Sequence, residues 1–301
     1  MKTKTSKINT SFKMEATAWM FVLPYFVVFA AFTVLPVLIS IFFSFTDFNM
    51  LQIPKFVWVE NYTRLFLQDD IFIKAIGNTF VLAMVTGPLG YILCLLFAWF
   101  INELRPGMRA LVTLIFYAPS ISGNMYLVWQ AFFSGDAYGY LNGFLINLGI
   151  TSTPVIWLRD ENFILTIVAV VALWSSLGTS FLTFIAGFQG VDKAYYEASA
   201  IDGVTNRWQE LWYVTLPLMR PQMLLSAVLS ITSAFGVGVI VTQLAGFPST
   251  NYAAHTIINH LQDYGTTKYE LGYASAIATV LFVIMVLSNM VIRKIISKVG
   301  S

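Results

Sequence analysis

Charged residues are scarce in this chain of 301 residues, and their scarcity excludes several classes of protein. Only 11% of the residues are charged and 57% are apolar, whereas soluble domains contain about 25% charged residues. The 17 basic and 15 acidic residues leave a formal net charge of +2, which does not provide the basic surface of a nucleic-acid-binding protein. We therefore exclude a water-soluble enzyme, a disordered chain and a nucleic-acid binder, and we predict a polytopic membrane protein.

The sequence contains a single cysteine, and it lacks the motifs of covalent or metal chemistry. The one cysteine, Cys94, lies in an apolar run, so neither a disulfide framework nor a thiolate metal cluster is expected. The sequence has no P-loop to hold ATP phosphates, no His-Glu-x-x-His and no Gly-x-Ser-x-Gly. The two histidines, His255 and His260, fall in a predicted outer loop, where we expect them to be solvated. We expect no catalytic residue, metal or cofactor in this chain.

Long apolar runs, in contrast, are abundant. A helix needs about 20 mostly apolar residues to cross a bilayer, and six segments qualify, with approximate bounds 19–45, 78–101, 108–133, 163–188, 222–244 and 271–296. The third is the weakest, because Pro119, Ser120, Ser122 and Asn124 interrupt it. The first is too long for a signal peptide. The expected fold is an all-α membrane protein, with an N-terminal segment 1–18 and a single transmembrane domain 19–301.

The distribution of charge predicts the orientation of the chain. If the N-terminus is inside, twelve of the 17 basic residues fall in inner segments and five in outer loops, as the positive-inside rule requires. Both termini are then cytoplasmic. The charged residues within the six spans are Arg109 at the inner start of the third span and Arg293 and Lys294 at the inner end of the last one. Since ion pathways need intramembrane charges, an ion-coupled pump is disfavoured.

The segment 190–221, between the fourth and fifth spans, predicts a helix–turn–helix on the inner membrane surface. Asp192 is a suitable N-cap for a first helix, and Asp202-Gly203 is a turn signal at its end. Thr205 or Asn206 then caps a second helix. Its apolar residues Trp208, Leu211, Trp212 and Val214 recur at three- and four-residue spacing. Leu216-Pro217 and Pro221 redirect the chain into the fifth span. From the residues alone, a helix that merely lies at the lipid headgroups explains this pattern equally well.

A family resemblance favours a more specific function for this segment. Glu197-Ala198-Ser199, then Gly203, then Val214-x-Leu216-Pro217 resembles the cytoplasmic EAA loop of binding-protein-dependent ABC transporter permeases. Ser199 stands where that family usually has alanine, and the stretch before Leu216 is one residue longer, near Thr205-Asn206. Further resemblances to the sugar-type permeases extend over nearly the whole chain. They are Leu23-Pro24, Leu35-Pro36, Phe43-Ser44-Phe45-Thr46-Asp47, Val59-Glu60-Asn61-Tyr62, Asn78-Thr79, Tyr117-Ala118-Pro119 and Gly139-Tyr140-Leu141-Asn142.

The resemblance to maltose and glycerol-phosphate permeases implies a type I ABC importer permease of six spans in a bacterial or archaeal cell membrane. Such a chain forms half of the pathway for a sugar delivered by an extracellular binding protein. The implied partners are a second homologous permease, two ATP-binding subunits that use ATP and Mg²⁺, and membrane lipid. The 190–221 loop would be the coupling helix that docks on the ATPase. Its candidate coupling residues are Glu197, Ala198, Ser199, Asp202, Gly203, Leu216 and Pro217. Asp202 either caps the turn or contacts the partner.

The candidate substrate pathway consists of uncharged polar and aromatic residues in the third, fourth and fifth spans. Sugars are bound by hydrogen bonds and aromatic faces, and these spans offer Ser122, Asn124, Tyr126, Trp129, Gln130, Trp174, Ser175, Ser176, Thr179, Ser180, Ser230, Thr232 and Ser233. The alternative is that the hydroxyls bond their own helix or join neighbouring helices. The absence of basic residues from the interior of these spans disfavours a strongly anionic cargo. Other functions that remain open are a permease for a sugar phosphate or amino acid, and a stand-alone channel or carrier.

Overall fold

The structure is a computed structural model that describes residues 19–296, and its regular elements are helices. No β-strand occurs within residues 19–296, where Thr46 and Phe56 form one isolated antiparallel bridge. The prediction of an all-α protein is confirmed for this range. The predicted N-terminal segment 1–18 lies outside the described residues, as do residues 297–301.

Fourteen main helices follow one another along residues 19–296, in addition to a 3-10 turn Thr250–Tyr252 and a π turn Asp263–Thr267. They are α1 (Trp19–Phe43), α2 (Glu60–Leu67), α3 (Asp70–Asn102), α4 (Pro106–Ile121), α5 (Met125–Phe132), α6 (Tyr140–Asn147), α7 (Ile164–Ser175), α8 (Thr179–Gly190), α9 (Lys193–Ile201), α10 (Arg207–Gln209, continued by a π turn Glu210–Thr215 and a last turn Leu216–Leu218), α11 (Arg220–Phe235), α12 (Gly238–Ala245), α13 (Ile257–Gln262) and α14 (Leu271–Ile296). The π turn Val85–Leu89 inside α3 contains Pro88, which has no N–H to continue the α-helical ladder.

Five stretches are long and apolar enough to cross a membrane: α1, α3, α7 with α8, α11 with α12, and α14. A sixth is formed if α4 and α5 count as one span, although the two helices are bent by 85° at the break between them. The break coincides with the polar residues that weaken the third predicted span. The second span begins at Asp70 rather than near residue 78, because the Asp69 carboxylate caps it by accepting the Phe72 N–H at 2.9 Å.

Buried apolar side chains hold the helices together in three clusters. One surrounds Phe181 and Phe184 of α8, one surrounds Val168 of α7, and one surrounds Phe72 and Ile277. Because lipid tails are as apolar as leucine, close packing is the force that holds such helices together inside a membrane. The side chains of the first turns of α1 stay exposed, while its second part, Leu35–Phe43, packs along α14.

Helix α3 connects two opposite ends of the molecule. With 33 residues it is about 50 Å long at 1.5 Å per residue. Its first turn lies beside α13 and α14, and we call this the histidine end because it holds His255 and His260. Its last turn lies beside α9 and α10, and we call this the loop end. The two breaks, between α4 and α5 and between α7 and α8, lie between these ends.

Candidate functional site

The 190–221 segment folds as the predicted helix–turn–helix. Asp192 caps α9 by accepting the Ala194 N–H at 3.0 Å. Gly203, two residues after the end of α9, has a φ of +93° that few other residues adopt without strain. Asn206 caps α10 by accepting the Gln209 N–H at 2.9 Å. A π turn accommodates one residue more than an α turn. Such a turn, Glu210–Thr215, lies in the second helix, within the stretch between Gly203 and Leu216.

One side of this helix–turn–helix is held by hydrogen bonds and by packing against the core of the protein. Ser199 is buried and its hydroxyl donates to the Tyr196 carbonyl at 2.9 Å. The Tyr196 hydroxyl lies 3.0 Å from Thr215 Oγ1, which joins α9 to α10. Leu211 and Leu216 are buried in the cluster around Phe181 and Phe184. Of the candidate coupling residues, Glu197, Ala198, Asp202 and Gly203 are exposed, Pro217 is half-buried, and Ser199 and Leu216 face inward.

A second attachment joins the loop to α3, and it involves residues that sequence reasoning missed. Arg207 lies 3.3 Å from the carboxylate of Glu103 and donates to Glu210 at 2.7 Å. The ring of Trp208 packs against Trp99, with centroids 4.7 Å apart. A groove of about 570 Å³ runs between α3 and the loop and is lined by Glu103, Lys193, Glu197 and Arg207 among others. Nothing in the linear sequence relates residues 99 and 103 to the loop, because only the fold brings them together.

Two helix breaks meet at a small polar cavity in the middle of the bundle. The chain leaves helical geometry after Ile121, at the end of α4, and again at Gly178, which precedes α8. A Cβ placed on Gly178 would lie 2.9 Å from the Ser120 Cβ, so only glycine allows the two breaks to approach so closely. Inside a membrane, irregular backbone is tolerated where it is buried in protein or lines a water-filled cavity. Discontinuous helices are also where many transporters bind their cargo.

The cavity has a volume of about 320 Å³ and a wall rich in hydroxyl groups. None of its twelve lining residues carries a charge. They are Pro119, Ser120, Ser122, Met125, Ser175, Ser176, Gly178, Thr179, Ser180, Leu229, Ser230 and Ser233. Seven of the candidate pathway residues are therefore brought together here, namely Ser122, Ser175, Ser176, Thr179, Ser180, Ser230 and Ser233. Ser120 was missed as a pathway residue, although it was one of the residues that interrupt the third predicted span.

The other candidate pathway residues lie away from this cavity. Gln130 donates to the Gln243 carbonyl at 2.6 Å and so links α5 to α12. The Tyr126 hydroxyl donates to Asn124 at 3.3 Å. Trp174 packs edge-on against Trp129 at 5.4 Å between ring centroids. Gln130 and Trp174 therefore join neighbouring helices, which is the alternative role that the sequence left open for polar residues in these spans, whereas Tyr126 bonds within its own helix.

Several cavity hydroxyls also bond their own helix. Ser120 donates to the Tyr117 carbonyl at 2.8 Å, and Ser175 donates to the Val171 carbonyl at 2.7 Å. Ser176 donates to the Leu173 carbonyl at 2.6 Å. Ser180 is different because it links two helices, donating to the Ser226 carbonyl at 3.2 Å. A hydroxyl that donates inward keeps its lone pairs free to accept a hydrogen bond from the cavity.

The prediction of solvated histidines is wrong. His255 and His260 are each only 1% exposed, because α13 folds back between α3 and α14 instead of forming an open loop. His260 Nε2 lies 3.0 Å from Asp69 Oδ2, and the Tyr273 hydroxyl donates to the same oxygen at 2.7 Å. Burial alone would raise the pKa of the Asp69 carboxyl, but these hydrogen bonds and the Phe72 N–H lower it well below its usual range.

Comparisons with known proteins agree with this geometry. No model of a known protein family matches the chain. The chain is 28% identical over 288 residues to the probable ABC transporter permease protein YesP of Bacillus subtilis (strain 168), covering 94% of this chain and 91% of YesP. It is 26% identical over 288 residues to the lactose transport system permease protein LacF of Rhizobium radiobacter, covering 94% of each.

Its curated homologues are sugar ABC transporter permeases. The fold agrees, since a bacterial ABC transporter that imports the acidic polysaccharide alginate contains a chain of similar structure. That chain has a TM-score of 0.74 and 25% identity, covering 96% of this chain and 99% of the transporter chain. The resemblance predicted from the sequence is confirmed, and this permease homologue is an integral membrane protein. The homologues are transport components rather than catalysts.

Proposed function

We propose that this chain is the permease subunit of an ABC importer and forms half of the pathway for a sugar or oligosaccharide. The observation that carries the proposal is the exposed surface of α9, where Glu197, Ala198, Asp202 and Gly203 lie on a helix pair that is fixed to the core behind it. A docking helix needs this combination of free outer residues and a rigid attachment. The likeness to sugar permeases over 94% of the chain supports the proposal.

The proposed complex contains a second permease, two ATP-binding subunits and an extracellular binding protein that delivers the sugar. One solved relative has been determined with a periplasmic protein bound to an alginate pentasaccharide, which supports a delivery partner of this kind. Twelve of 17 basic residues then face the cytoplasm, with both termini and the loop end inside. ATP and Mg²⁺ would be held by the ATP-binding subunits.

The fold suggests how movement at the loop would reach the cavity. Helix α8 runs from the cavity at Thr179 to the loop at Gly190. Residues Phe181 and Phe184 of α8 share a buried cluster with Leu211 and Leu216 of the loop. Because packed interiors transmit displacement, a shift of α9 and α10 driven by the ATPase would move α8 and change the cavity. The contact between the rings of Trp208 and Trp99 would transmit the same movement to α3.

Co-purification from native membranes in mild detergent tests this proposal. We expect the wild-type chain to recover a second permease and an ATP-binding subunit, and Glu197→Lys to weaken recovery of the ATPase. Glu60→Lys is the matched control, because it makes the same charge reversal at an exposed position near the histidine end. Recovery of the wild-type chain alone or as a homo-oligomer would contradict the proposal and favour a stand-alone channel or carrier.

A further inference from the structure

We propose that residues 45–58 form a membrane-anchoring hairpin, whose tip inserts among the lipid headgroups at the histidine end of the protein. This anchoring requires only that the chain is an integral membrane protein. It is independent of the cargo and of the ATP-binding partner. The hairpin combines a rigid attachment to the spans, an exposed apolar tip and a single basic side chain.

The base of the hairpin is closed by backbone hydrogen bonds. The Val57 N–H donates to the Phe45 carbonyl at 2.8 Å, and the Asp47 N–H donates to the Lys55 carbonyl at 3.1 Å. The Asp47 carboxylate also accepts the Lys55 N–H at 2.6 Å. Because a two-stranded hairpin is marginally stable by itself in water, its conformation depends on the neighbouring helices.

These helices hold the base in place. Asn61 of α2 is buried, and its side-chain amide donates to the Ser44 and Thr46 carbonyls at 2.9 Å each. The Gly272 N–H, in the first turn of α14, donates to the Phe48 carbonyl at 2.8 Å. A Cβ on Gly272 would collide with the Thr46 carbonyl oxygen. The hairpin is therefore attached to the end of one span, α14, and directly continues another, α1.

The tip has a fixed backbone and exposes apolar side chains. The side-chain oxygen of Asn49 accepts the N–H groups of Leu51 and Gln52 at 3.1 Å each, which closes the turn. Met50 has a φ of +64°, in a region that few non-glycine residues adopt. Met50, Leu51 and Ile53 are 64%, 89% and 87% exposed. Exposed apolar patches mark protein or membrane interaction surfaces, so the tip is suited to one of the two.

The charge and the aromatic rings of the hairpin favour lipid over protein. Residues 48–59 carry a single charge, Lys55, which is exposed and forms no ion pair within residues 19–296. A lysine beside apolar side chains extends its ammonium group to the membrane interface, where it complements lipid phosphates. The rings of Phe56 and Trp58 are exposed and lie 4.9 Å apart, and tryptophan is enriched where a membrane meets water.

The distance of the tip from the spans fits the headgroup layer. Phe48 is bonded to the first turn of α14. Leu51 follows three residues later and lies within about 11 Å of Phe48, since the chain extends at most about 3.6 Å per residue. The headgroup layer is about 5–7 Å thick on each side of a bilayer. The tip can therefore reach lipid, and the anchor would hold the ends of α1 and α14 at a constant depth while the loop end moves.

Fluorescence quenching in nanodiscs tests this proposal. The full chain, with the subunits that co-purify with it, is placed in nanodiscs of phosphatidylcholine and phosphatidylglycerol. Bimane is attached at Leu51→Cys or Ile53→Cys in a Cys94→Ala background. Both tip positions are almost fully exposed, so neither substitution removes a packing contact. Ser152→Cys is the matched control, because Ser152 is exposed in a polar stretch between α6 and α7.

The two quenchers should act in opposite orders. Lipids with a nitroxide near the headgroup should quench the tip labels at least about threefold more than the control label, because an interfacial segment is buried at the headgroup boundary. Iodide in the water should quench the control label more than the tip labels.

Two results would overturn the proposal. Iodide quenching at the tip equal to that at Ser152 would show that the tip lies in water. Protection of the tip labels from both quenchers would show that a protein subunit covers them. Neither result bears on the proposed function, which co-purification tests separately.

Discussion

Each end of the molecule contains one pair of ionisable side chains that joins two distant segments, and the two pairs are held in opposite ways. At the histidine end, Asp69 and His260 have side chains only 9% and 2% exposed and lie 3.0 Å apart. At the loop end, Arg207 and Glu103 lie 3.3 Å apart with side chains 65% and 45% exposed. Buried polar groups must be satisfied by precise partners, so the histidine end is fixed. Exposed ion pairs contribute little to stability and rearrange easily. This property suits a surface that docks on a moving partner.

Asp69→Ala should have the largest effect on stability. It leaves the buried His260 and Tyr273 without their acceptor and removes the cap of α3. Each loss costs about 1–3 kcal/mol, so we expect a total of several kcal/mol, seen as a much lower thermal unfolding midpoint in detergent. Asp70→Ala is the control, because it removes the same charge from an exposed neighbour. Equal midpoints for the two variants would mean that the buried network does not fix this end.

Gly203→Val should have the next largest effect, on coupling rather than on stability. A Cβ at this position meets no atom within 4 Å, so the strain comes only from the φ of +93°, at a cost of about 1–3 kcal/mol. We expect the variant to reach the membrane but to hydrolyse ATP without importing sugar. Gly203→Asn, which tolerates positive φ, should retain most import. Normal import by Gly203→Val would contradict a coupling role for this turn.

Lowering the pH should destabilise the histidine end and leave the stability of the loop end unchanged. Burial, together with the nearby His260, lowers the pKa of His255 to about 4, against opposing contributions from Asp263 and Asp69 and a further lowering by Lys268. The unfolded chain binds a proton below its ordinary pKa of about 6.5, whereas folded His255 stays neutral. Its contribution to stability is therefore complete above pH 6.5 and decreases as the pH falls towards 4.

Thermal unfolding between pH 7 and pH 5 measures this effect. We expect the midpoint of the wild type to fall by a few degrees over this interval, on the scale of about 2–4 °C per kcal/mol for a chain of this size. His255→Asn should flatten the dependence. Equal slopes for the two proteins would show that another group is responsible.

Trp208→Ala should reduce coupling only modestly, and Arg207→Gln should reduce it least. An aromatic pair such as Trp208 with Trp99 contributes about 0.5–1.5 kcal/mol beyond buried area, whereas an exposed ion pair contributes about 0–1 kcal/mol. The ratio of ATP hydrolysed to sugar imported is the measurement. A larger rise of that ratio for Arg207→Gln than for Trp208→Ala would mean that the ion pair, not the ring contact, connects the loop to α3.

The loop was predictable from the sequence because its determinants are local. Asp192, Gly203 and Asn206 act on backbone within a few residues, and the helix–turn–helix they specify is the one observed. The existence of the long apolar helices was predictable for the same reason, since each is a continuous run in the sequence. The start of α3 was not, because its cap Asp69 places it at Asp70 rather than near residue 78.

The burial of the histidines and the shape of the cavity could not be predicted in this way. Asp69 meets His260 across 191 positions of the chain. The polar wall joins the break at Ser122 to the break at Gly178 and to Ser230 and Ser233 on α11. The residues with hydroxyl groups in these spans could be identified from the sequence. Which of them line the same cavity depends on how the third, fourth and fifth spans pack together.

The ratio of ATP hydrolysed to sugar imported, measured in proteoliposomes for Glu197→Lys and for Ser233→Ala, tests the central claim most directly. If the loop couples and the cavity carries cargo, Glu197→Lys should raise the ratio several-fold. Ser233→Ala should slow import and hydrolysis together and leave the ratio near the wild-type value. An unchanged ratio with normal import in Glu197→Lys, or an equal rise in both variants, would contradict the separation of roles between loop and cavity.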